Sequence, residues 1–211
     1  MKAFYERYWN DKLPPMKLFG DPPSGDEGNV NRSLELIVPW LLPEDTVLDY
    51  GCGEGFILNG IVQKIGLPAR QCVGVDISDT ALMKARARFP GLDFRRLEDF
   101  TARVSVITTF DVMEHIFDFD EVFDFFRSRL KIHGHLLIAT NEMCFLKMAA
   151  IGVFYMDTFF HPYSPHIRFF TRNTLRDLLA YHGFKVIHYD RIANHFGFLS
   201  TGQFVAAERI R

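Results

Sequence analysis

Hydrophobic positions along the chain switch repeatedly between two spacings. Short apolar runs of strand length alternate with segments whose apolar residues recur every three or four positions, as in an amphipathic helix. This β–α–β alternation favours an α/β fold with a doubly wound, Rossmann-like, mostly parallel sheet and helices on both faces. The apolar runs predict about seven strands, over 46–50, 72–76, 92–97, 104–110, 135–139, 184–189 and 204–208.

Helices are expected between these strands, and capping residues mark their ends. Helical spacing extends over 31–42, 57–65, 81–89, 118–130 and 171–182. The predicted stops are Pro43, Gly66 and Gly183, and the predicted N-caps are Ser78 or Asp79, Asp118 or Asp120, and Thr171. The aromatic residues Phe4, Tyr5, Tyr8 and Trp9 predict a further short helix, and the prolines and glycines of 14–25 predict a loop after it.

Composition narrows the class of protein. The 211 residues are 48% hydrophobic and 24% charged, which is typical of a folded single domain. A net charge of −2 provides no field that would attract nucleic acid. The three cysteines have no C-x-x-C spacing, and the chain starts without an apolar signal segment, so we expect a cytoplasmic protein. The longest apolar run, 148–156, is too short to span a bilayer.

A glycine-rich segment follows the first predicted strand. Gly51, Gly53 and Gly55 form a G-x-G-x-G pattern, in which a ligand can approach the backbone without a Cβ atom in the way. Asp76 ends the second predicted strand at a spacing of roughly 20 residues from this pattern, where a carboxylate can accept hydrogen bonds from a ribose diol. The alternative is that the glycines form only a tight turn and that Asp76 caps the next helix.

The stretch 47–56, together with 73–77, resembles motif I and the acidic second-strand end of class I S-adenosylmethionine-dependent methyltransferases. A nicotinamide-dependent oxidoreductase would carry a third glycine where Phe56 stands. The segments 110–116 (with D-V-x-E-H), 134–141, and 166–171 with 183–184 resemble later elements of the small-molecule branch of the same family. The resemblance covers roughly residues 44–209.

The resemblance implies that S-adenosylmethionine is the cofactor. Asp49 would then lie beneath its methionine end, Asp76 would hold the ribose hydroxyls and Ile77 would pack on the adenine, with Glu98 as an alternative to Asp99 at the adenine edge. The implied cofactor-binding residues are Asp49, Gly51, Cys52, Gly53, Gly55, Asp76, Ile77, Asp99, Phe100 and Asp111. The chain divides accordingly into a helical cap or lid (1–43), a cofactor-binding core (44–142), an aromatic insertion over the acceptor site (143–170) and a C-terminal helix with two strands (171–211).

Asp111 and His115 are the predicted catalytic residues. Methyl transfer to an oxygen atom of a small molecule needs a positioned nucleophile and a base that takes its proton, and His161 and His166 are the other candidate bases. Asp111, Glu114, His115 and His166 could instead hold a divalent ion. We predict no metal, because the D-x-x-E-H string is also found in family members that bind none. The alternative function is a non-catalytic S-adenosylmethionine-binding module or partner protein.

The insertion at 143–170 is dense in Phe, Met and Tyr. One interpretation is that it binds an apolar or aromatic acceptor or forms a lid that excludes water. The other is that it packs as core against the N-terminal aromatic segment or forms the face of a homodimer. The expected partner is therefore a small molecule, with no nucleic acid and no integral membrane span.

Overall fold

A seven-stranded sheet forms the centre of the computed structural model, which describes residues 1–10, 27–162, 164–193 and 200–211. The predicted loop at 14–25 and Tyr163 of the insertion lie outside these residues. The strands are β1 (Val47–Tyr50), β2 (Cys72–Asp76), β3 (Asp93–Arg96), β4 (Val104–Phe110), β5 (Leu130–Thr140), β6 (Phe184–Ala193) and β7 (Ser200–Arg209).

The sheet is doubly wound and mostly parallel. Its strand order is β3-β2-β1-β4-β5-β7-β6. The first five strands pair in parallel, and β7 lies antiparallel between β5 and β6. The predicted fold class is therefore confirmed, including its seven strands.

Helices cover both faces of this sheet, because successive strand residues point to opposite sides. Leu48 of β1 packs in the cluster that contains Phe123 and Leu175, whereas its neighbour Val47 packs in the cluster that contains Leu58 and Leu82. The α-helices are α1 (Lys2–Trp9), α2 (Glu27–Ile37), α3 (Phe56–Gly60), α4 (Asp79–Arg88), α5 (Phe119–Arg129), α6 (Phe145–Ala150), α7 (Met156–Phe159) and α8 (Arg172–Tyr181).

Capping contacts decide several helix ends that the sequence left open. The Ser78 hydroxyl accepts the Ala81 N–H and starts α4, so Asp79 is the first helical residue. The Asp118 carboxylate caps α5, which leaves Asp120 inside the first turn. Thr171 caps α8 in a capping box, as predicted.

Other boundaries differ from the sequence prediction. The helix expected to reach residue 42 ends at Ile37 and continues as a 3-10 turn over Val38–Trp40, since Pro39 lacks an N–H and its ring blocks an α-helix. The predicted strand 135–139 is the second half of β5, and both final strands are longer than their apolar runs. Hydrogen bonding to neighbouring strands extends these elements over polar residues, which periodicity does not mark. No helix in the described part of the chain is long and apolar enough to cross a bilayer.

Candidate functional site

A cavity of about 370 Å³ lies at the carboxyl end of the central strands. The chain adds β2 and β3 on one side of β1 and β4 on the other, so the strand order reverses beside β1. Ligands of doubly wound sheets bind at this kind of reversal. Asp49 and Gly51 reach the cavity from β1, Asp76 from the end of β2, and Asp111 from the residue after β4.

The glycine loop after β1 is tied to the end of β2 by its backbone. The N–H groups of Gly51 and Cys52 donate to the Val75 carbonyl over 2.8 and 3.0 Å. The N–H of Gly53 donates to Oδ2 of Asp76 over 3.0 Å. Gly51, Cys52 and Gly53 all line the cavity. The loop is therefore held open by hydrogen bonds that leave its inner side facing the cavity.

Two of the glycines are required by the left-handed backbone and by crowding. Gly51 has φ +74°, and a Cβ atom there would lie 2.4 Å from Cγ2 of Val112. Gly55 has φ +84°, and its Cβ would lie 2.5 Å from Cζ of Phe94. Gly55 is the N-cap of α3 and packs against the Phe94 ring, whereas Gly51 borders the cavity. Gly51 is therefore required at the cavity wall, and Gly55 is required for close packing of the turn.

Asp76 is buried at the cavity wall. Its Oδ1 accepts the Ser78 N–H over 2.8 Å and its Oδ2 accepts the Gly53 N–H. Each oxygen of a carboxylate can accept a second hydrogen bond, so both remain available to a pair of hydroxyl groups. Burial raises the pKa of this carboxyl, and hydrogen bonds from the backbone N–H groups of Ser78, Gly53 and Ile77 oppose that rise.

Asp49 is buried beneath the loop, with 3% of its surface exposed. Its Oδ1 accepts the Thr108 hydroxyl over 2.8 Å. Burial raises its pKa to about 7, and the charge of Asp76 acts in the same direction. A cationic group in the cavity would favour the ionised form of this carboxyl.

The predicted adenine-side residues fall in three different places. Ile77 lines the cavity and keeps 41% of its surface exposed. Leu97 contributes from the 3-10 turn Leu97–Asp99. Asp99 is exposed on the same turn, and Phe100 is buried in the core. The structure does not bring Asp99 or Phe100 into the cavity lining.

The opposite end of the cavity carries the predicted catalytic residues. Asp111 has φ +52°, unusual for a residue other than glycine, and its N–H donates to the Ala139 carbonyl. His115 Nδ1 lies 2.8 Å from the Pro165 carbonyl oxygen. A carbonyl only accepts, so Nδ1 carries the proton and Nε2 keeps a lone pair. The His166 ring packs on His115 with centroids 4.8 Å apart, and both rings line the cavity.

Glu114 is buried beside these histidines. Its two oxygens accept hydrogen bonds from the Thr140 hydroxyl over 2.7 Å and the Asn141 amide over 3.1 Å. One ligand atom from each of Glu114, His115 and His166 lies within 4.8 Å of the others, so these three residues could hold a cation. Asp111, the fourth residue of the metal hypothesis, is not part of this set. His161 is not among the described residues that line the cavity.

Helix α1, which belongs to the cap or lid predicted over 1–43, supplies a wall of the cavity through residues that were not among the predicted site residues. Tyr5, Tyr8 and Trp9 line the cavity from one helix face, at the spacing i, i+3, i+4. The Glu6 carboxylate accepts the N–H of Asp79 and the hydroxyl of Thr80, each over 2.6 Å, which fixes α1 to the start of α4. The helical spacing of the aromatic residues was the available signal, but it does not indicate where the helix docks.

Known proteins resemble this chain in sequence. The family model described as a methyltransferase domain matches residues 24–189. A probable S-adenosylmethionine-dependent methyltransferase of Mycolicibacterium smegmatis is 32% identical over 149 residues, which cover 66% of this chain and 52% of the relative. A probable S-adenosylmethionine-dependent methyltransferase of Mycobacterium tuberculosis is 33% identical over 97 residues, covering 41% of this chain and 33% of the relative. The chain spans about half of the first relative and a third of the second.

Solved structures share the fold at low sequence identity. Magnesium protoporphyrin IX methyltransferase of Synechocystis PCC 6803 with bound SAH superposes with TM-score 0.66 at 17% identity, covering 99% of this chain and 95% of that one. Geranyl diphosphate C-methyltransferase of Streptomyces coelicolor gives 0.64 at 15% identity, with coverage of 99% and 98%. With the cavity, the glycine loop and the family match in agreement, the chain belongs to the methyltransferase domain family.

Proposed function

We propose that this protein transfers a methyl group from S-adenosylmethionine to an oxygen atom of a small-molecule acceptor. One observation carries the proposal: a single cavity joins the glycine loop and Asp76 at one end to His115 and His166 at the other. A volume of about 370 Å³ lies within the usual range of small-molecule sites. Binding groups and a candidate base therefore border the same space.

The residues at the loop fit the chemical groups of this cofactor. Asp76 offers acceptor capacity on both carboxylate oxygens to the ribose hydroxyls, and Ile77 offers an exposed apolar side chain to the adenine. Asp49 offers a buried carboxyl to the positive charge of the methionine end. Gly51 and Gly53 line this wall, and a Cβ at either position would crowd Val112 or the Trp9 ring. Cys52 and Asp111 complete this wall of the cavity.

At the His115 end of the cavity, the residues position the acceptor and remove its proton. When bound, S-adenosylmethionine supplies an electrophilic methyl carbon whose sulfonium leaves as a neutral thioether. In our proposal His115 Nε2 accepts the acceptor's hydroxyl proton, while its Nδ1–H remains donated to the Pro165 carbonyl. This bond fixes both the tautomer and the ring orientation. The Tyr5 ring packs against His115 with centroids 6.0 Å apart and excludes water from this end of the cavity, whereas the Trp9 ring lies beside Gly53.

The remaining assignments are also proposals. Helices α1 and α2 act as the cap predicted for 1–43, since Tyr5 and Val30 line the cavity. The insertion 143–170 borders the acceptor end through Pro165 and His166. The largely apolar and aromatic lining favours an apolar or aromatic acceptor. A cytoplasmic location and a homodimer stay predictions.

Cofactor binding and catalysis are tested separately. Calorimetry with S-adenosylhomocysteine should show Asp76→Ala binding about 1–3 kcal/mol more weakly than wild type, since the substitution removes hydrogen bonds to a buried diol. Asp76→Asn, which keeps the shape and one acceptor, should lose less. Glu44→Ala, at an exposed position outside the cavity lining, is the control with wild-type affinity. Unchanged affinity in Asp76→Ala would contradict the ribose assignment.

Labelled-methyl transfer to a panel of small apolar and aromatic alcohols and phenols tests activity. His115→Ala should lower kcat by roughly 10²–10⁴-fold while the affinity for S-adenosylhomocysteine stays near that of wild type. If every acceptor class in the panel gives no transfer although S-adenosylhomocysteine binds, the alternative of a non-catalytic binding module is favoured. If kcat is retained in His115→Ala, His115 is not the base.

We propose that the transfer needs no metal, although Glu114, His115 and His166 converge. Both Glu114 oxygens already accept hydrogen bonds from neutral donors. Protein treated with EDTA and then desalted should therefore keep its methyl-transfer rate. Loss of transfer on chelation with recovery on adding Mg²⁺ would assign these three residues as ligands instead.

A further inference from the structure

The segment 164–170, which brings Pro165 and His166 to the cavity, has little regular structure of its own. Its residues form no helix and no named strand, and an isolated bridge between Glu142 and Phe170 marks its end. No ladder of backbone hydrogen bonds within the segment therefore fixes its position. The 2.8 Å separation between the Pro165 carbonyl oxygen and His115 Nδ1 depends instead on contacts with neighbouring parts of the chain.

Arg168, three residues after Pro165, ties this segment to the stretch of chain that follows β4. Its guanidinium donates through Nη2 to the Phe117 carbonyl over 2.8 Å and through Nε to the Ile116 carbonyl over 3.3 Å. Its backbone N–H donates to the Glu114 carbonyl over 3.0 Å. Both the main chain and the side chain of this one residue therefore hold the two stretches together.

The hydrogen bonds of Arg168 end on both sides of His115 in the chain. Glu114 comes directly before this histidine, and Ile116 comes directly after it. The bond between His115 and Pro165 joins the same two stretches. A displacement of one stretch along the other would break the contacts of Arg168 and would also move the Pro165 carbonyl away from the imidazole.

The partners of this guanidinium are unusual for a surface arginine. They are two backbone carbonyls and the ring of Phe119 at the start of α5, with Cζ 5.6 Å from the ring centroid. Among the described residues, no carboxylate pairs with Arg168. A planar guanidinium can donate to two acceptors at once in a fixed geometry, which suits it to holding a piece of backbone in place.

We propose that Arg168 is a positioning residue that keeps the Pro165 carbonyl against His115 Nδ1. This inference rests on the proposed function, in which His115 is the base. A histidine that accepts a proton at Nε2 must carry its own proton at Nδ1, and the carbonyl selects that tautomer. Arg168 is not among the described residues that line the cavity, so it acts through His115 rather than on the acceptor.

The tautomer of His115 tests the proposal without any methyl transfer. Imidazole ¹⁵N chemical shifts are recorded on the full chain with bound S-adenosylhomocysteine at about pH 8, above the ordinary pKa of histidine. The His115 signals are assigned by their loss in His115→Gln. Wild type should carry the proton on Nδ1. Arg168→Met and Arg168→Gln, which lack the guanidinium, should show a mixture of tautomers, and Arg168→Lys should lie between them and wild type because an ammonium lacks the planar fork.

Arg172→Met is the matched control. The Arg172 guanidinium also lies over an aromatic ring, that of Tyr189, with Cζ 4.2 Å from the ring centroid. Its replacement should leave the His115 tautomer unchanged. His182 provides an internal reference in every variant, because its imidazole is buried and stacked on Phe123. Thermal unfolding shows which variants are folded, and if only one of Arg168→Met and Arg168→Gln folds, that variant alone gives the result.

In the methyl-transfer assay, Arg168→Met should lower kcat by roughly 10–100-fold, because a small displacement of the base slows the reaction. Its KM and its affinity for S-adenosylhomocysteine should stay near those of wild type. A general loss of structure would instead weaken cofactor binding as well.

The wild-type tautomer in folded Arg168→Met or Arg168→Gln would overturn the proposal, and so would an equal change in Arg172→Met. A proton on Nε2 in wild type would overturn both this proposal and the assignment of His115 as the base. A changed tautomer in Arg168→Met with unaltered kcat would refute only the role of His115 as the base, and would support the positioning of its ring by Arg168. The failures of the two proposals are therefore distinguishable.

Discussion

Replacing Gly51 with alanine separates two physical requirements of the glycine loop. A non-glycine residue at φ +74° costs roughly 1–2 kcal/mol in backbone strain. The new Cβ would also lie 2.4 Å from Cγ2 of Val112, and relieving such overlap in a packed site costs roughly 1–3 kcal/mol more. Gly66 has φ +86° with no atom within 4 Å of its added Cβ, so Gly66→Ala measures the strain alone. We expect Gly51→Ala to lower the free energy of unfolding by about 2–5 kcal/mol and Gly66→Ala by about 1–2 kcal/mol.

Urea unfolding of five proteins, namely wild type, Gly51→Ala, Gly66→Ala, Val112→Ala and a double variant, completes this test. The double variant Gly51→Ala/Val112→Ala removes the methyl groups that the new Cβ would meet, so Gly51→Ala should cost less in the Val112→Ala background than in wild type. Calorimetry with S-adenosylhomocysteine should show weaker binding by Gly51→Ala and unchanged binding by Gly66→Ala, which lies after α3 and away from the cavity lining. Equal losses of stability in Gly51→Ala and Gly66→Ala would refute the argument from crowding.

Two further predictions concern titration and the cap. Burial raises the folded-state pKa of Asp49 from 3.8 to about 7. Between pH 4 and 7 the folded protein therefore binds a proton that the unfolded chain has released. As a result, this group lowers the free energy of unfolding as the pH rises through that window. Asp49→Asn removes the effect. The urea midpoint of this variant minus that of wild type should therefore rise from pH 4 to pH 7 and then level off. A difference that stays constant with pH would contradict the raised pKa of Asp49. Glu6→Gln should weaken α1 docking on α4 and raise the Kd for S-adenosylhomocysteine severalfold, whereas Glu35→Gln on α2 should leave it unchanged. An unaltered Kd in Glu6→Gln would mean that α1 does not contribute to binding.

The sequence predicts most of the fold because its signals are local. Seven apolar runs identify seven strands, and Ser78, Asp118 and Thr171 mark helix starts through hydrogen bonds that span three residues. The predictions that were wrong concern the ends of helices and strands, which local apolar spacing does not determine. Polar residues of β6 and β7 join the sheet by pairing with each other, and Pro39 ends α2 before its apolar spacing does.

The same distinction holds within the candidate site. Asp49 and Asp76 belong to adjacent parallel strands and Gly51 directly follows the first of them, so a strand pattern in the sequence is sufficient to bring them together. Asp99 lies on the short turn that follows a strand. On such a turn, a shift of one position along the chain decides whether a side chain faces the cavity or the surface. The placement of such turn residues depends on local backbone geometry that spacing does not encode.

The acceptor end of the cavity depends on contacts that are far apart in the sequence. His115 is oriented by the carbonyl of Pro165, 50 residues later, and the facing ring is Tyr5 at the start of the chain. Neither contact follows from periodicity, because helix spacing gives the face of α1 but not its docking site. Because the cofactor end is built from consecutive strands and the acceptor end from separate segments, substitutions at Tyr5 or near residue 165 can change the acceptor without altering the glycine loop. Acceptor identity is therefore the property that the local sequence determines least.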